Sequence, residues 1–294
     1  MSKKKRLFYG SGTAIVTPFS KGEVDYGAFE KMIDFQLSQG TDAIVVLGTT
    51  GEAPTVYENE RNEIIAFAKE KIRGRVPLIV GTGSNATSVA VRYTKTACEL
   101  GADGSLVVSP YYNKATENGI IEHYREIAKA ADIPIIIYNV PSRTGVKIPI
   151  GAYRELCKIS NIVGVKEASG DLGYLAELLH NHKTDFDVYT GCDELILPTL
   201  ALGGKGVISV VSNIMPNAVH RLCDDFKKGN IASARALQLY LTPLIKEMFN
   251  EVNPIPIKEA LFQLGACKDE YRLPLCKSTR ASQISEVLDM YDLI

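Results

Sequence analysis

Eight short apolar, β-branched runs recur along the chain, each followed by a polar or glycine-containing turn and then a longer stretch. They read "GTAIVTPF" (12–19), "AIVVLG" (43–48), "PLIVGTG" (77–83), "GSLVVSP" (104–110), "PIIIYNVP" (134–141), "IVGVKEAS" (162–169), "DVYTGCD" (187–193) and "GVISVVSN" (206–213). Between them, segments 28–39, 60–73, 86–100, 119–131 and 172–181 place apolar residues three and four apart, the spacing of a helix with one buried face. Strands that are apolar almost throughout have both faces covered, which implies a parallel sheet crossed by helices. Eight such units closing on themselves make a (β/α)8 TIM barrel of the α/β class. The eighth unit ends near residue 229. Residues 230–294 read as further helices with Pro and Gly at their boundaries, so the expected organisation is a barrel over 1–229 and a C-terminal helical extension over 230–294. A doubly wound open sheet is the alternative, but no G-x-G-x-x-G turn follows the first run.

The 294 residues are 46% hydrophobic and 23% charged, enough to build one large α/β domain or two ordinary ones. Formal net charge is −1, and no basic block follows the Lys3-Lys4-Lys5-Arg6 start, so no nucleic-acid partner is expected. Small molecules or other subunits are the expected partners. Gly10, Ser11, Gly12 and Thr13 interrupt the apolar stretch that a signal peptide requires, and no run approaches the roughly 18 apolar residues of a membrane span. A cytoplasmic protein with no membrane partner is expected. The cysteines at 98, 157, 192, 223, 267 and 276 are scattered without a C-x-x-C pair, which argues against a zinc ribbon or a disulfide scaffold. Of the four histidines only "HNH" (180–182) has a ligand-like spacing, and it falls at a helix end, so no metal site is expected.

Functional residues of such a barrel gather at the carboxyl ends of the strands. The run ends carry glycines, hydroxyls and tyrosines, among them Thr49, Thr50, Gly51, Tyr112, Tyr138 and Gly191, with one lysine, Lys166. Side chains alternate along a strand, so Lys166 shares a face with Gly164 and Ala168, while Val163 and Val165 are expected on the other. If those valines face the helices, Lys166 points into the barrel with room around it. Desolvation penalises the ammonium and favours the free amine, the form needed for a Schiff base with a carbonyl substrate. The ordinary alternative is a lysine at a strand end, solvated or paired to Glu167.

Schiff-base formation also needs proton transfers. Tyr138 has the inward parity of Ile136 and ends its strand where it can face Lys166; a core tyrosine tied to backbone is the alternative. "GTTGE" (48–52) offers two hydroxyls and closely spaced amides able to hold a carboxylate. Arg143, five residues past Tyr138, is placed to pair with a second carboxylate, or else forms a surface ion pair.

Together, "GTTGE", "SPYYN", "YNVPSRTG", "VGVKEASGD", "GGKGVISV" and "NPIPIKEAL" resemble the dihydrodipicolinate synthases, part of the pyruvate-dependent superfamily that also holds N-acetylneuraminate lyase. The resemblance implies that Lys166 forms a Schiff base with pyruvate, that Thr50 and its loop, Gly51 included, hold the pyruvate carboxylate, and that Gly191 and Ile208 belong to that pocket. It implies a proton relay of Thr49, Tyr138 and Tyr112, with Tyr112 entering from a neighbouring subunit of a dimer of dimers. Arg143 corresponds to the residue that contacts the carboxylate of aspartate 4-semialdehyde. No cofactor is implied beyond the covalent Schiff base. Other pyruvate-dependent aldolases, such as sialic-acid or keto-sugar-acid lyases, are the enzymatic alternative, and a non-catalytic pyruvate-binding barrel is the remote one. Members inhibited by lysine resemble one another in His and Glu residues where this chain has Glu58, Arg61 and Val89, so weak or no inhibition by lysine is expected.

Overall fold

A computed structural model describes residues 6–181 and 186–294. The basic start at 3–5 and His182 of "HNH" lie outside the described residues. Eight parallel strands close into a barrel: β1 (Gly10–Ala14), β2 (Ala43–Val46), β3 (Leu78–Gly81), β4 (Gly104–Val108), β5 (Ile135–Asn139), β6 (Ile162–Glu167), β7 (Asp187–Thr190) and β8 (Gly206–Ser209). Closure is made by β1 against β8, with Gly12 opposite Ile208. Each run predicted as a strand contributes one, and the open-sheet alternative is excluded. The first strand starts two residues earlier than expected. The residues after it turn into a short antiparallel hairpin of Phe19–Ser20 with Glu23–Val24, which the continuous apolar run concealed.

The helices α1 (Tyr26–Ser38), α2 (Glu58–Ile72), α3 (Thr87–Glu99), α4 (Glu117–Ala130), α5 (Ile150–Leu156), α6 (Leu172–Asn181), α7 (Ile196–Ala201) and α8 (Pro216–Lys227) alternate with the strands. Their starts follow local chemistry. Asp25 accepts the Ala28 N–H at 2.9 Å ahead of α1, and Thr116 accepts the Gly119 N–H at 3.2 Å ahead of α4, each satisfying a donor that the first turn leaves open. Beyond residue 229 come α9 (Ile231–Met248), α10 (Ile255–Gln263) and α11 (Ala281–Asp289). Leu241 and Leu244 of α9, Ile257 and Leu261 of α10, and Ile284 and Leu288 of α11 share one hydrophobic cluster with Ile33, Ile64 and Val46 of the barrel units.

Inside the barrel, Ala43, Val45, Ile79, Leu106, Ile136, Tyr138, Tyr189 and Ile208 form a separate core. Phe8, just before β1, stacks on Tyr189 with ring centres 4.3 Å apart and fills the amino-terminal end. Val163 also lies in this inner core, against expectation. The pairing of β5 with β6 shifts register there: Ile135 opposes Ile162, but Ile136 opposes Gly164, so Val163 is an extra residue on β6. Only Ile162 and Val165 face the helix layer. The bulge leaves the later alternation intact, and Lys166 comes to lie opposite Tyr138.

Candidate active site

Lys166 is 5% exposed at the carboxyl end of β6, and its Nζ lies 4.4 Å from the centre of the Tyr138 ring. No hydrogen bond or ion pair within the described residues engages that amine. The Lys166–Glu167 pair considered above is not formed. Glu167 faces away, accepting Asn139 Nδ2 at 2.7 Å and the Ser169 N–H at 2.6 Å, and burial pushes its carboxyl above the usual range. Strand alternation puts the two side chains on opposite faces. A buried amine at a strand end with no carboxylate paired to it is placed for nucleophilic use.

Space for this side chain is made on the neighbouring strand end. A Cβ on Gly191 would sit 2.6 Å from Lys166 Cε and 2.7 Å from Ala168 Cβ, so glycine is required there by close approach. Ile208 is fully buried in the inner core.

The loop after β2 is held in an unusual path. Leu47 and Glu52 both have positive φ, +55° and +52°, in the left-handed region that non-glycine residues seldom adopt. Gly81 lacks the Cβ that would come within 1.9 Å of the Leu47 carbonyl. Turn bonds from Glu52 N–H to Thr49 O and from Ala53 N–H to Gly48 O close the loop. The N–H groups of Thr50 and Gly51 donate to nothing among the described residues. Buried, unspent amides beside a hydroxyl are an arrangement able to receive an anion.

Two features not foreseen in the sequence tie this loop to the C-terminal helices. Glu52 forms a solvent-free ion pair with Lys258 of α10 at 2.5 Å. Asn253, in the turn before α10, donates its Nδ2–H to Thr50 Oγ1 at 3.0 Å, and its backbone carbonyl accepts Arg143 Nη2 at 3.0 Å. Both residues fall in "NPIPIKEAL", 110 to 206 positions from their partners, so no local spacing marks these contacts. Arg143 itself sits on a single helical turn, Pro141–Thr144.

A cavity of about 480 Å³ opens at these strand ends. Thr49, Tyr138, Arg143 and Asn253 line it, whereas Lys166, Thr50, Gly51, Gly191 and Ile208 are not among its walls. Lys166 abuts it through the Tyr138 ring. Tyr111 lines the cavity, but Tyr112 does not: it is 90% exposed with φ +72° and turns away from its own chain's site. On the outer wall Arg61 is buried, donates to Gly81 O at 2.6 Å and stacks over Tyr93 at 4.2 Å, and burial lowers its pKa from the ordinary value. Among the described residues no group of His, Cys, Asp and Glu is arranged to hold a metal ion, and no helix is long and apolar enough to cross a membrane.

Fold and site together define a (β/α)8 barrel centred on a buried lysine at the end of its sixth strand. Residues 7–288 match the profile of the Dihydrodipicolinate synthetase family, and the chain belongs to that family. It is 49% identical over 269 residues to a 4-hydroxy-tetrahydrodipicolinate synthase of Alkaliphilus oremlandii (strain OhILAs), covering 92% of this chain and 93% of that one. The crystal structure of dihydrodipicolinate synthase from Aquifex aeolicus superposes with a TM-score of 0.95 at 46% identity, covering 97% of this chain and 99% of that one. A crystal structure from Cyanidioschyzon merolae, with lysine bound, superposes with a TM-score of 0.95 at 39% identity, covering 99% and 100%.

Proposed function

We propose that this enzyme is a 4-hydroxy-tetrahydrodipicolinate synthase that condenses pyruvate with L-aspartate 4-semialdehyde through a Schiff base on Lys166. The observation that carries this reading is the buried, unpaired amine of Lys166 on the ring of Tyr138, beside a loop of unspent donors. Full-length relatives bearing the synthase name agree with it.

In this reading the Lys166 amine adds to the carbonyl carbon of pyruvate, giving a carbinolamine that loses water to form the imine. Tyr138 and Thr49 pass the protons between amine, carbonyl oxygen and water, with Tyr112 of a neighbouring subunit completing the relay. The Thr50–Gly51 loop holds the pyruvate carboxylate. Loss of a methyl proton converts the imine to the enamine, whose carbon attacks the aldehyde carbon of the semialdehyde. Arg143 holds the carboxylate of that second substrate through its paired N–H groups. The substrate's own amine then attacks the imine carbon, closes the ring and expels the Lys166 amine, which returns unchanged. No cofactor enters. The exposed Tyr112, held in a left-handed conformation, supports an assembly of at least two subunits, and dimers of dimers fit the family pattern. The absence of a membrane-crossing helix among the described residues is compatible with a cytoplasmic enzyme.

Borohydride reduction with pyruvate, followed by peptide mapping, tests the chemistry: a reduced pyruvyl adduct on Lys166 is expected, and an adduct elsewhere overturns the assignment. Supplying pyruvate with either aspartate 4-semialdehyde or N-acetylmannosamine tests the substrate. Turnover with the sugar alone would sink the synthase reading.

A further inference from the structure

We infer that Asn253, contributed by the C-terminal extension, is a positioning residue that sets Thr50 as a hydrogen-bond donor toward the pyruvate carboxylate. The inference rests on the reading of Thr50 given above. A threonine hydroxyl carries one hydrogen and two acceptor positions, so its neighbours decide which way the hydrogen points. Here Asn253 Nδ2 donates into Thr50 Oγ1 at 3.0 Å, and the two residues are 8% and 2% exposed. With its oxygen receiving that bond, the Thr50 O–H is directed elsewhere, and no described residue accepts it. The N–H groups of Thr50 and Gly51 are likewise unspent. Three buried donors around one loop lack an acceptor, and a carboxylate supplies two oxygens to meet them.

The same asparagine fixes the second anchor. Its backbone carbonyl accepts Arg143 Nη2, so a single residue adjusts both carboxylate-holding groups. Its own place is set by α10, where the Lys258 N–H donates to Pro254 O at 3.0 Å and Lys258 Nζ reaches back to Glu52, two residues past Thr50. The extension is therefore part of the binding site.

Asn253→Asp keeps the shape and reverses the bond. A carboxylate only accepts, so it takes the Thr50 hydrogen and leaves an oxygen lone pair facing the substrate's negative charge. Asn253→Ala merely releases the hydroxyl. Steady-state kinetics on both, on Thr50→Val and on Thr50→Val with Asn253→Ala, with saturating aspartate 4-semialdehyde, decide the matter. Thr50→Val should raise KM for pyruvate by about ten- to a hundredfold, the usual size of one hydrogen bond to a charged group. Asn253→Asp should raise it more than Asn253→Ala does, with kcat at saturating pyruvate changed much less, and the double variant should be no worse than Thr50→Val alone. A merely structural asparagine predicts the opposite order, because the isosteric aspartate disturbs packing least; that order, or effects that multiply in the double variant, overturns the inference. If Thr50→Val leaves KM for pyruvate unchanged, the reading of Thr50 itself fails, and the inference falls with it.

Discussion

Lys258 Nζ lies 2.5 Å from Glu52 Oε1, and both side chains are closed to solvent. Lys258 also lies over the rings of Phe19 at 4.5 Å and Tyr271 at 4.9 Å and donates to Glu270 O at 2.7 Å, so the pair is enclosed by barrel loop on one side and extension on the other. Removing one member strands the other's charge in the interior, at a cost of about 3–5 kcal/mol. Lys258→Met should therefore lower the urea midpoint strongly, and adding Glu52→Gln should recover a good part of the loss. Equal stability of wild type and Lys258→Met would show that the pair is not closed off in solution.

Gly191 leaves no room for a methyl group beside Lys166. Gly191→Ala should displace the lysine stem and slow reductive trapping of pyruvate by an order of magnitude or more, because misplacement of about 1 Å costs about a hundredfold in rate. The overpacking should also cost about 1–3 kcal/mol. Unaltered trapping kinetics in a folded variant would contradict the close approach.

Tyr138→Phe keeps the ring against which Lys166 packs and deletes only the hydroxyl. A loss in kcat of about 10²–10⁴ is expected for a proton-transfer group, with melting temperature little changed. If kcat falls less than threefold, the hydroxyl is not part of the relay.

His123 is buried on α4, with Nδ1 3.0 Å from Thr87 Oγ1 and Nε2 without a partner among the described residues, and burial lowers its pKa to about 4 from 6.5. The unfolded chain then binds the proton more readily than the folded one between those values. Stability from this group is complete above pH 6.5 and declines as pH falls toward 4, by roughly 3 kcal/mol in all. Denaturation curves at several pH values should show this slope in the wild type and a shallower one in His123→Phe. Parallel slopes would remove His123 as the cause.

Inhibition by L-lysine should be weak or absent. The outer wall of the cavity presents the Arg61 guanidinium and apolar Val89, and the nearby Glu58 is engaged by Arg92 at 3.0 Å, so an incoming ammonium meets a like charge with no free carboxylate. Initial rates should hold as lysine is raised to millimolar levels, and a steep fall at modest lysine would refute the expectation. Reversal by Arg61→His with Val89→Glu would strengthen it.

The eight-unit barrel was legible because strands buried on both faces and helices buried on one impose different apolar periods, and the chain shows both in its eight apolar runs and in the five helical segments read between them. The place of Lys166 was legible for the same reason: a charge in an otherwise apolar run has to be solvated, paired or used. Tertiary structure decided the rest. Val163 turned inward because a bulge in the β5–β6 pairing adds a residue, a matter of register between strands that neither strand states alone. Asn253 and Lys258 joined the loop at 48–52 because α10 packs back across the strand ends, which brings together residues more than 200 positions apart. Local chemistry determines what each segment is, whereas closure of the barrel and docking of the extension determine which side chains meet.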